Sequence, residues 1–270
     1  MRASTFKQFA DSFARTGDKG ADLMLHAGGE EIGIDELQHL PTPPATESFT
    51  PISHYDFVGL IQDTSEKVLG PQGYHLDNIK VATAKDHMRL FGTMTFQKDR
   101  SDMKLAIGFR QALDKSMAAG CALGGNVTIC DNLMIVGQEV VVRKHTGDIH
   151  GKLRDKIVLT LFDVDSVWNG IQDDHAKMVS VDMSDDAAFA HYGRAFGHGV
   201  LGPRQFTDCV SEWKNPKFDH GGNTLWKWYN CGTQVFKNLP MHKTMKKHRD
   251  LHQFSIEISS DQFQNVASIV

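Results

Sequence analysis

The chain has 270 residues, 40% of them hydrophobic, which is enough apolar material for a sizeable core in one large domain or in a domain with an appendage. The formal net charge of −4 at pH 7 excludes the overall basic character that announces a nucleic-acid-binding protein, so any such binding needs a local basic patch. The four single cysteines, with no apolar signal-peptide core and no run of about 18 apolar residues, predict a cytoplasmic protein with no membrane partner.

The first fifty residues are predicted to form an arm. Phe6, Phe9 and Phe13 fall at helical spacing and indicate a short amphipathic helix at the start of the chain. Prolines then hold the following segment extended, LPTPPATESFTP. We therefore divide the chain into an N-terminal arm with a Pro-rich linker, residues 1–50, and a single α+β domain, residues 51–270. Because the arm is rich in phenylalanine, it is a candidate for joining subunits into a homo-oligomer.

The first half of the domain is predicted to be a helix followed by a sheet. Ser53 precedes apolar residues at helical spacing and predicts a capped helix over about 53–69. Five strands are then predicted, with the charged segment AKDH as a hairpin turn between the first two, at 78–84, 87–96, 103–109, 126–130 and 138–145. Because short loops join most of these strands, we expect an antiparallel sheet of about five strands.

The second half is predicted to be largely helical. Apolar residues step every three or four positions from Ile149 to Ile171, which predicts one long helix over about 149–178 lying across the sheet. Shorter elements follow, namely helices at 185–200, 203–214 and 223–238 and a late strand at 252–258. The fold class is therefore α+β, with the sheet covered by a long helix and a helical C-terminal portion.

Several familiar kinds of site are weighed against the sequence. The run AAGCALGGN leads into a strand, so a tight turn or a close backbone approach is favoured over a phosphate loop. The fourteen histidines lack the spacing of a metal motif, and no nucleophile elbow is present. We assign no catalytic residue, metal or cofactor. An enzyme site built from Asp114, Cys130, Asp131 and His145 stays open as the third hypothesis.

Local basic clusters flank the predicted strands and the C-terminal segment. Such clusters bind phosphate backbones even on an acidic protein, although an ordinary solvated surface is the competing interpretation. The candidate nucleic-acid-binding residues are Arg110, Lys115, Asn132, Arg143, Lys144, His145, Lys243, Lys246 and Lys247. Those in the middle of the chain are expected to lie along one rim of the sheet. Trp228 is predicted to be an exposed ring that stacks on bases, while Trp226 and Tyr229 are assigned to the core.

Six sequence blocks spread over residues 40–240 belong together, namely PTPPATESFTPISHYD, RLFGTMTF, FRQALDKSMAAG, VTICDNL, VVRKHTGDI and NTLWKWYNCGTQVFK. Taken together, they resemble the phage/plasmid-like protein family known as domain of unknown function 932. One departure is that Gln111 and Ala112 stand where many members have Asn and Ser. The resemblance implies an accessory protein of a phage, prophage or plasmid, and it implies no established activity.

The leading functional hypothesis is an accessory protein of a mobile element that binds single-stranded DNA, in a process related to recombination or annealing. An antiparallel sheet crossed by a long helix is similar to the layout of phage single-strand annealing proteins, which supports function only by analogy of fold. The second hypothesis belongs to another class, a protein-binding module that inhibits or redirects a host defence or replication factor. Both hypotheses place the protein in the cytoplasm of the host cell.

Overall fold

The computed structural model describes residues 29–98, 103–127, 132–135, 141–143, 149–162, 164–237, 239 and 241–260. Within these ranges the strands are β1 (Glu30–Glu31), β2 (His75–Ala84), β3 (Arg89–Gln97), β4 (Met103–Ala112), β5 (Ala119–Val127), β6 (Asn132–Ile135) and β7 (Val141–Arg143). The α-helices are α1 (Ile34–Leu37), α2 (His54–Leu69), α3 (Ile149–Leu161), α4 (Val164–Ser180), α5 (Asp185–Gly197), α6 (Pro203–Lys214), α7 (Leu225–Phe236) and α8 (Met241–Ser259).

All the described strands belong to one antiparallel sheet, in the order β1-β2-β3-β4-β5-β6. The short strand β7 also pairs with β5, at residues 119–121, whereas β6 pairs with residues 124–127. The predicted α+β class, the antiparallel sheet and the helical C-terminal portion are therefore confirmed. The short strands β1 and β6 add to the five that the sequence pattern predicts.

Helices α2 and α3 cover one face of the sheet. Alternate strand residues on this face, such as Met94, Ile107 and Phe109, are fully buried, because successive side chains of a strand point to opposite faces. Helix α2 begins at the predicted position, where the Ser53 hydroxyl accepts a hydrogen bond from the backbone N–H of Asp56 at 2.9 Å. The sheet and these two helices share one apolar core.

Three predicted elements differ in the structure. The long helix over 149–178 is two helices, since α3 ends at Leu161 and α4 begins at Val164. The late strand at 252–258 is wrong, because this segment continues α8 and buries Leu251, Phe254 and Ile258 at helical spacing. The run AAGCALGGN forms most of strand β5 instead of a tight turn, since small residues are compatible with the centre of an extended ladder.

The helices α4 to α8 form a second core around α7. Helix α7 packs against α4, α6 and α8, and apart from two partly buried positions its residues are buried. Trp228 is therefore not an exposed ring. It is fully buried, stacks on Tyr192 with ring centroids 4.6 Å apart, and donates its indole N–H to the carbonyl of Ala188 at 3.1 Å. Trp226 and Tyr229 are buried as predicted.

Part of the predicted arm contributes to the sheet domain. Strand β1 pairs with β2, and the side chains of Leu37 and Phe49 are buried. The boundary at residue 50 therefore crosses a segment that packs on the domain, at least from residue 30 onward. Residues 1–28, which carry the predicted amphipathic helix, lie outside the described residues.

Candidate functional site

Two turns meet at one end of the sheet. We call residues 85–88, between β2 and β3, and residues 113–118, between β4 and β5, the paired turns. The register aligns Ala84 with Arg89 and Arg89 with Ala112, so both turns leave the sheet at the same end. The backbone N–H of Leu113 donates to the carbonyl of Met88 at 2.7 Å. The Arg89 Nε donates to Asp114 Oδ2 at 2.7 Å, which joins the turns a second time.

The paired turns hold an unusual backbone conformation. Among the described residues, every non-glycine residue with positive φ lies here, namely Lys85 (57°), Asp86 (52°), His87 (61°) and Lys115 (63°). Left-handed backbone is uncommon outside glycine and costs about 1 kcal/mol or more per residue. Four such residues at one end of one sheet therefore require support from the surrounding structure.

A buried hydrogen-bond chain supplies that support. The His54 Nε2 donates to the carbonyl of His87 at 2.8 Å, while His54 Nδ1 accepts from Gln111 Nε2 at 2.7 Å. The His87 ring is held in turn by the Thr83 hydroxyl at 2.8 Å from Nδ1. Because His54 and Gln111 are buried, this chain fixes the β2–β3 turn to the start of α2 and to β4.

The exposed charged side chains of the paired turns are Lys85, Asp86, Asp114 and Lys115. Lys85 and Lys115 are both exposed, and neither forms an ion pair with a described residue. The Lys115 ammonium lies 4.8 Å from the centre of the Phe49 ring, which holds this side chain against the domain. The half-buried Arg110 lies in the adjoining part of β4, opposite Phe91 and Gly120. The paired turns thus present two lysines to solvent beside the exposed Asp86, while Arg89 pairs with Asp114.

The carboxylate of Asp114 links the two turns in a pH-dependent way. Partial burial acts to raise the pKa of Asp114, but hydrogen bonds from Ser116 and the Arg89 guanidinium together lower it below its ordinary value. A lowered folded-state pKa gives stability that is present above the unfolded value of about 3.9 and is lost as the pH falls through the folded-state pKa.

We expect Asp114→Asn to lower the free energy of unfolding at pH 7 by about 0.5 kcal/mol, the usual size for a partly exposed ion pair. The difference between the parent and the variant should shrink as the pH falls below about 4, because the parent then loses the same charge. Urea denaturation at a series of pH values measures this difference. A difference that stays constant down to pH 3 contradicts the assignment.

The residues expected along one rim lie at two ends of the sheet. Arg110 of β4 and Arg143 of β7 pair with the adjacent β5 residues Gly120 and Ala119. The backbones of both arginines therefore lie at the paired-turn end of the sheet. Asn132 instead pairs with Val127 at the other end of β5, seven residues from Gly120 and roughly 23 Å away at 3.3 Å per residue. The expectation of a single rim is therefore wrong for Asn132. Lys144 and His145 lie outside the described residues.

The C-terminal lysines have separate surroundings on α8. Lys247 donates to the carbonyls of Gly199 and Val200, at 2.9 and 2.6 Å, and so holds the chain just beyond α5. Burial lowers the pKa of this ammonium group, and the neighbouring lysines act in the same direction. Lys246 is paired with Asp250, and Lys243 is exposed. Of these three lysines, Lys243 has the simplest access to an external ligand.

For the third hypothesis, an enzyme site, the described residues include one of the four candidates, Asp114. Asp114 is engaged by Arg89 and Ser116, while Cys130, Asp131 and His145 lie outside the described residues. The described cysteines are buried free thiols, and burial raises the pKa of Cys231 to about 12. Within the described ranges, no three His, Cys, Asp or Glu side chains converge on a possible metal position.

Sequence reasoning missed Lys85 and Arg89 as members of the site. The available signal was the charged hairpin segment AKDH, which has no glycine or asparagine to take up a left-handed backbone easily. Such a turn requires an external support, and a support of this kind often belongs to a functional surface.

No family model, no curated protein and no solved structure matches this chain. Membership of the phage/plasmid-like family therefore stays a prediction that rests on the sequence blocks quoted above. Among the described helices, none combines the length and the apolar composition needed to cross a bilayer.

Proposed function

We propose that the protein binds single-stranded nucleic acid, with Lys85, Lys115 and Arg110 at the paired turns as phosphate contacts. The observation that carries the proposal is that Lys85 and Lys115 lie on two turns joined by a hydrogen bond and an ion pair, with Arg110 in the adjoining part of β4. A fixed cation loses little conformational freedom when it meets a phosphate, so a rigid turn is a better binding platform than a mobile loop. The backbone of Arg143 lies at the same end of the sheet, and Lys144 and His145 follow it in the sequence.

The overall charge of −4 limits binding to this local surface. Away from the paired turns, a polyanion meets an acidic molecule and is repelled, so the local cations orient the ligand. Each phosphate neutralised on a single strand contributes a slope of about 0.7 to the dependence of log K on log salt. A site of three to five cations therefore predicts a slope of about 2 to 3.5.

We expect the double variant Lys85→Glu, Lys115→Glu to weaken binding of a labelled single-stranded DNA at least about tenfold at 50 mM salt and to reduce the salt slope by about 1.4. Fluorescence polarisation at several salt concentrations measures both quantities. The matched control is Lys67→Glu. This exposed lysine lies in the last turn of α2, and the first residue of that helix, His54, contacts the paired turns. Lys67 is therefore about 20 Å from the paired turns along the helix axis.

Two results contradict the proposal. One is that the parent protein does not bind at 50 mM salt, or binds with no salt dependence. The other is that Lys67→Glu weakens binding as much as the double variant does, since this places the contact elsewhere. Thermal unfolding of each variant, followed by circular dichroism, shows that the comparison is made between folded proteins.

The wider role in this proposal is that of an accessory protein of a phage or another mobile element, acting on single strands in the cytoplasm of the host. The sequence blocks that resemble the phage/plasmid-like family support this role. Expression of the protein beside a phage or plasmid whose recombination is scored tests it, with the Lys85→Glu, Lys115→Glu variant as the control. Equal recombination with the parent and the variant contradicts it.

A further inference from the structure

Helix α3 ends in an exposed apolar patch, which we define as Val158, Leu159 and Phe162. The side chains of Leu159 and Phe162 are 75% and 81% exposed, and Val158 is 36% exposed. The opposite side of α3 carries Leu153, Ile157 and Leu161, which are buried in the sheet core. The patch is therefore separate from the surface that attaches α3 to the domain.

The size of the patch indicates what kind of occupant it fits. Its exposed apolar area is about 350 Å², which is within the range of the largest apolar patch on a typical monomer. Patches of this size are often functional. A stable complex between two folded proteins needs about 800 Å² on each partner. The patch is instead about as large as the apolar stripe of one short amphipathic helix, which binds through residues spaced three and four apart.

We infer that the patch is covered by the N-terminal segment of the same chain, residues 1–16, through Phe6, Phe9 and Phe13. Their spacing of three and four residues places them on one side of a helix. Covering the patch removes large apolar side chains from water on both surfaces.

The intervening chain is long enough to allow this contact. The described chain begins at the paired-turn end, where Glu30 pairs with Thr83. The patch lies near the other end, because Asp165, just after α3, accepts hydrogen bonds from Tyr74 and Lys98 beside the opposite ends of β2 and β3. Strand β2 has 10 residues at about 3.3 Å each, so the two ends are about 33 Å apart. Residues 14–28 span up to about 50 Å when extended.

A tethered segment also has a concentration advantage over a separate molecule. An intramolecular ligand on a flexible linker has an effective concentration of up to about 1 mM, which is reduced when the linker is stretched. A patch that is too small to hold a second folded protein can therefore still be occupied by a segment of its own chain. This inference does not depend on nucleic-acid binding by the paired turns.

Hydrogen exchange on the full chain tests the inference. We expect the amides of residues 6–13 to exchange at least about tenfold more slowly than in an unstructured peptide, and to lose this protection in the double variant Leu159→Ser, Phe162→Ser. The matched control is Val179→Ser, which removes an exposed apolar side chain from α4 outside the patch and should leave the protection unchanged. Both variants change exposed residues, so each is expected to fold.

Three outcomes overturn the inference. Amides 6–13 that exchange freely in the parent show that the segment is not docked, and protection that survives the double variant shows that it is docked elsewhere. Protection that appears only at high protein concentration, together with a dimer by light scattering, shows that a second copy supplies the segment. The reciprocal test replaces Phe6, Phe9 and Phe13 with serine in the variant Leu159→Cys, where loss of the docked segment should increase the reactivity of the thiol toward a solvent-borne reagent.

Discussion

Replacing Trp228 with alanine is expected to lower the free energy of unfolding by about 4 kcal/mol, as for other large aromatic side chains removed from a packed core. The indole is fully buried in α7 and stacks on the ring of Tyr192 with an interplanar angle of 18°. The substitution also leaves the carbonyl of Ala188 without the indole donor. Because a small domain is stable by only about 5 to 15 kcal/mol, this loss is a large part of the total.

This result separates two roles for the tryptophan. A ring that stacks on bases contributes to affinity and little to stability, whereas a core ring contributes to stability. Urea denaturation gives the change in stability, and the control is Phe196→Ala, since Phe196 is 45% exposed on α5 and should cost well under half as much. If Trp228→Ala unfolds at the same urea concentration as the parent and only loses affinity for DNA, the buried position is contradicted.

Replacing Gly92 with alanine is expected to lower the free energy of unfolding by about 3 kcal/mol, since overpacking a core costs about 1 to 3 kcal/mol and a clash with backbone adds to this. A Cβ atom at this position would lie 2.3 Å from Phe109 Cζ and 2.9 Å from the carbonyl oxygen of Lys80. Phe109 is itself fully buried and packs edge-on against Phe57 of α2, so its ring has little space to move.

The matched control for Gly92→Ala is Gly59→Ala. Gly59 lies within α2, and a Cβ there would meet nothing within 4 Å. Alanine at this position should raise the free energy of unfolding by about 0.5 to 1 kcal/mol, because it reduces the freedom of the unfolded chain. Denaturant titration of the two variants measures both changes. Equal effects of the two substitutions contradict the close contact between β3 and β4 at Gly92.

The clash at Gly92 also has a consequence for the paired turns. Phe109 directly precedes Arg110 in β4, and Gly92 lies opposite Phe109. A displaced Phe109 shifts the end of β4 from which the 113–118 turn leaves. Under the proposed function, we therefore expect folded Gly92→Ala to bind single-stranded DNA less tightly than the parent, although the substitution removes no charge.

The local pattern of the sequence determined much of the fold. Strands β2 and β3 follow from alternation of apolar and polar residues, and helices α2, α5, α6 and α7 follow from helical spacing with a cap or a proline at the start. These signals are local, because each element presents a regular face to whatever lies beside it. The α+β class could be predicted for the same reason.

The tertiary structure decided which faces are buried and which turns meet. Spacing along α7 suggests one exposed side, but α4, α6 and α8 surround this helix, so Trp228 is buried. Alternation in 252–258 resembles a strand, yet the segment continues α8, because burial of Leu251 and Phe254 against its neighbours favours a helix. Such outcomes depend on residues distant in sequence, which a local pattern does not contain.

The candidate site shows the same division. The sequence alone identified Arg110 and Lys115 as basic residues beside strands, and it indicated a charged hairpin turn at AKDH. Only the sheet register brings that turn beside the turn that carries Lys115, where the Met88–Leu113 hydrogen bond and the ion pair of Asp114 join the two. The register also places Asn132 at the far end of β5. The physical reason is that strand pairing, which is non-local, determines the end of the sheet at which each turn lies.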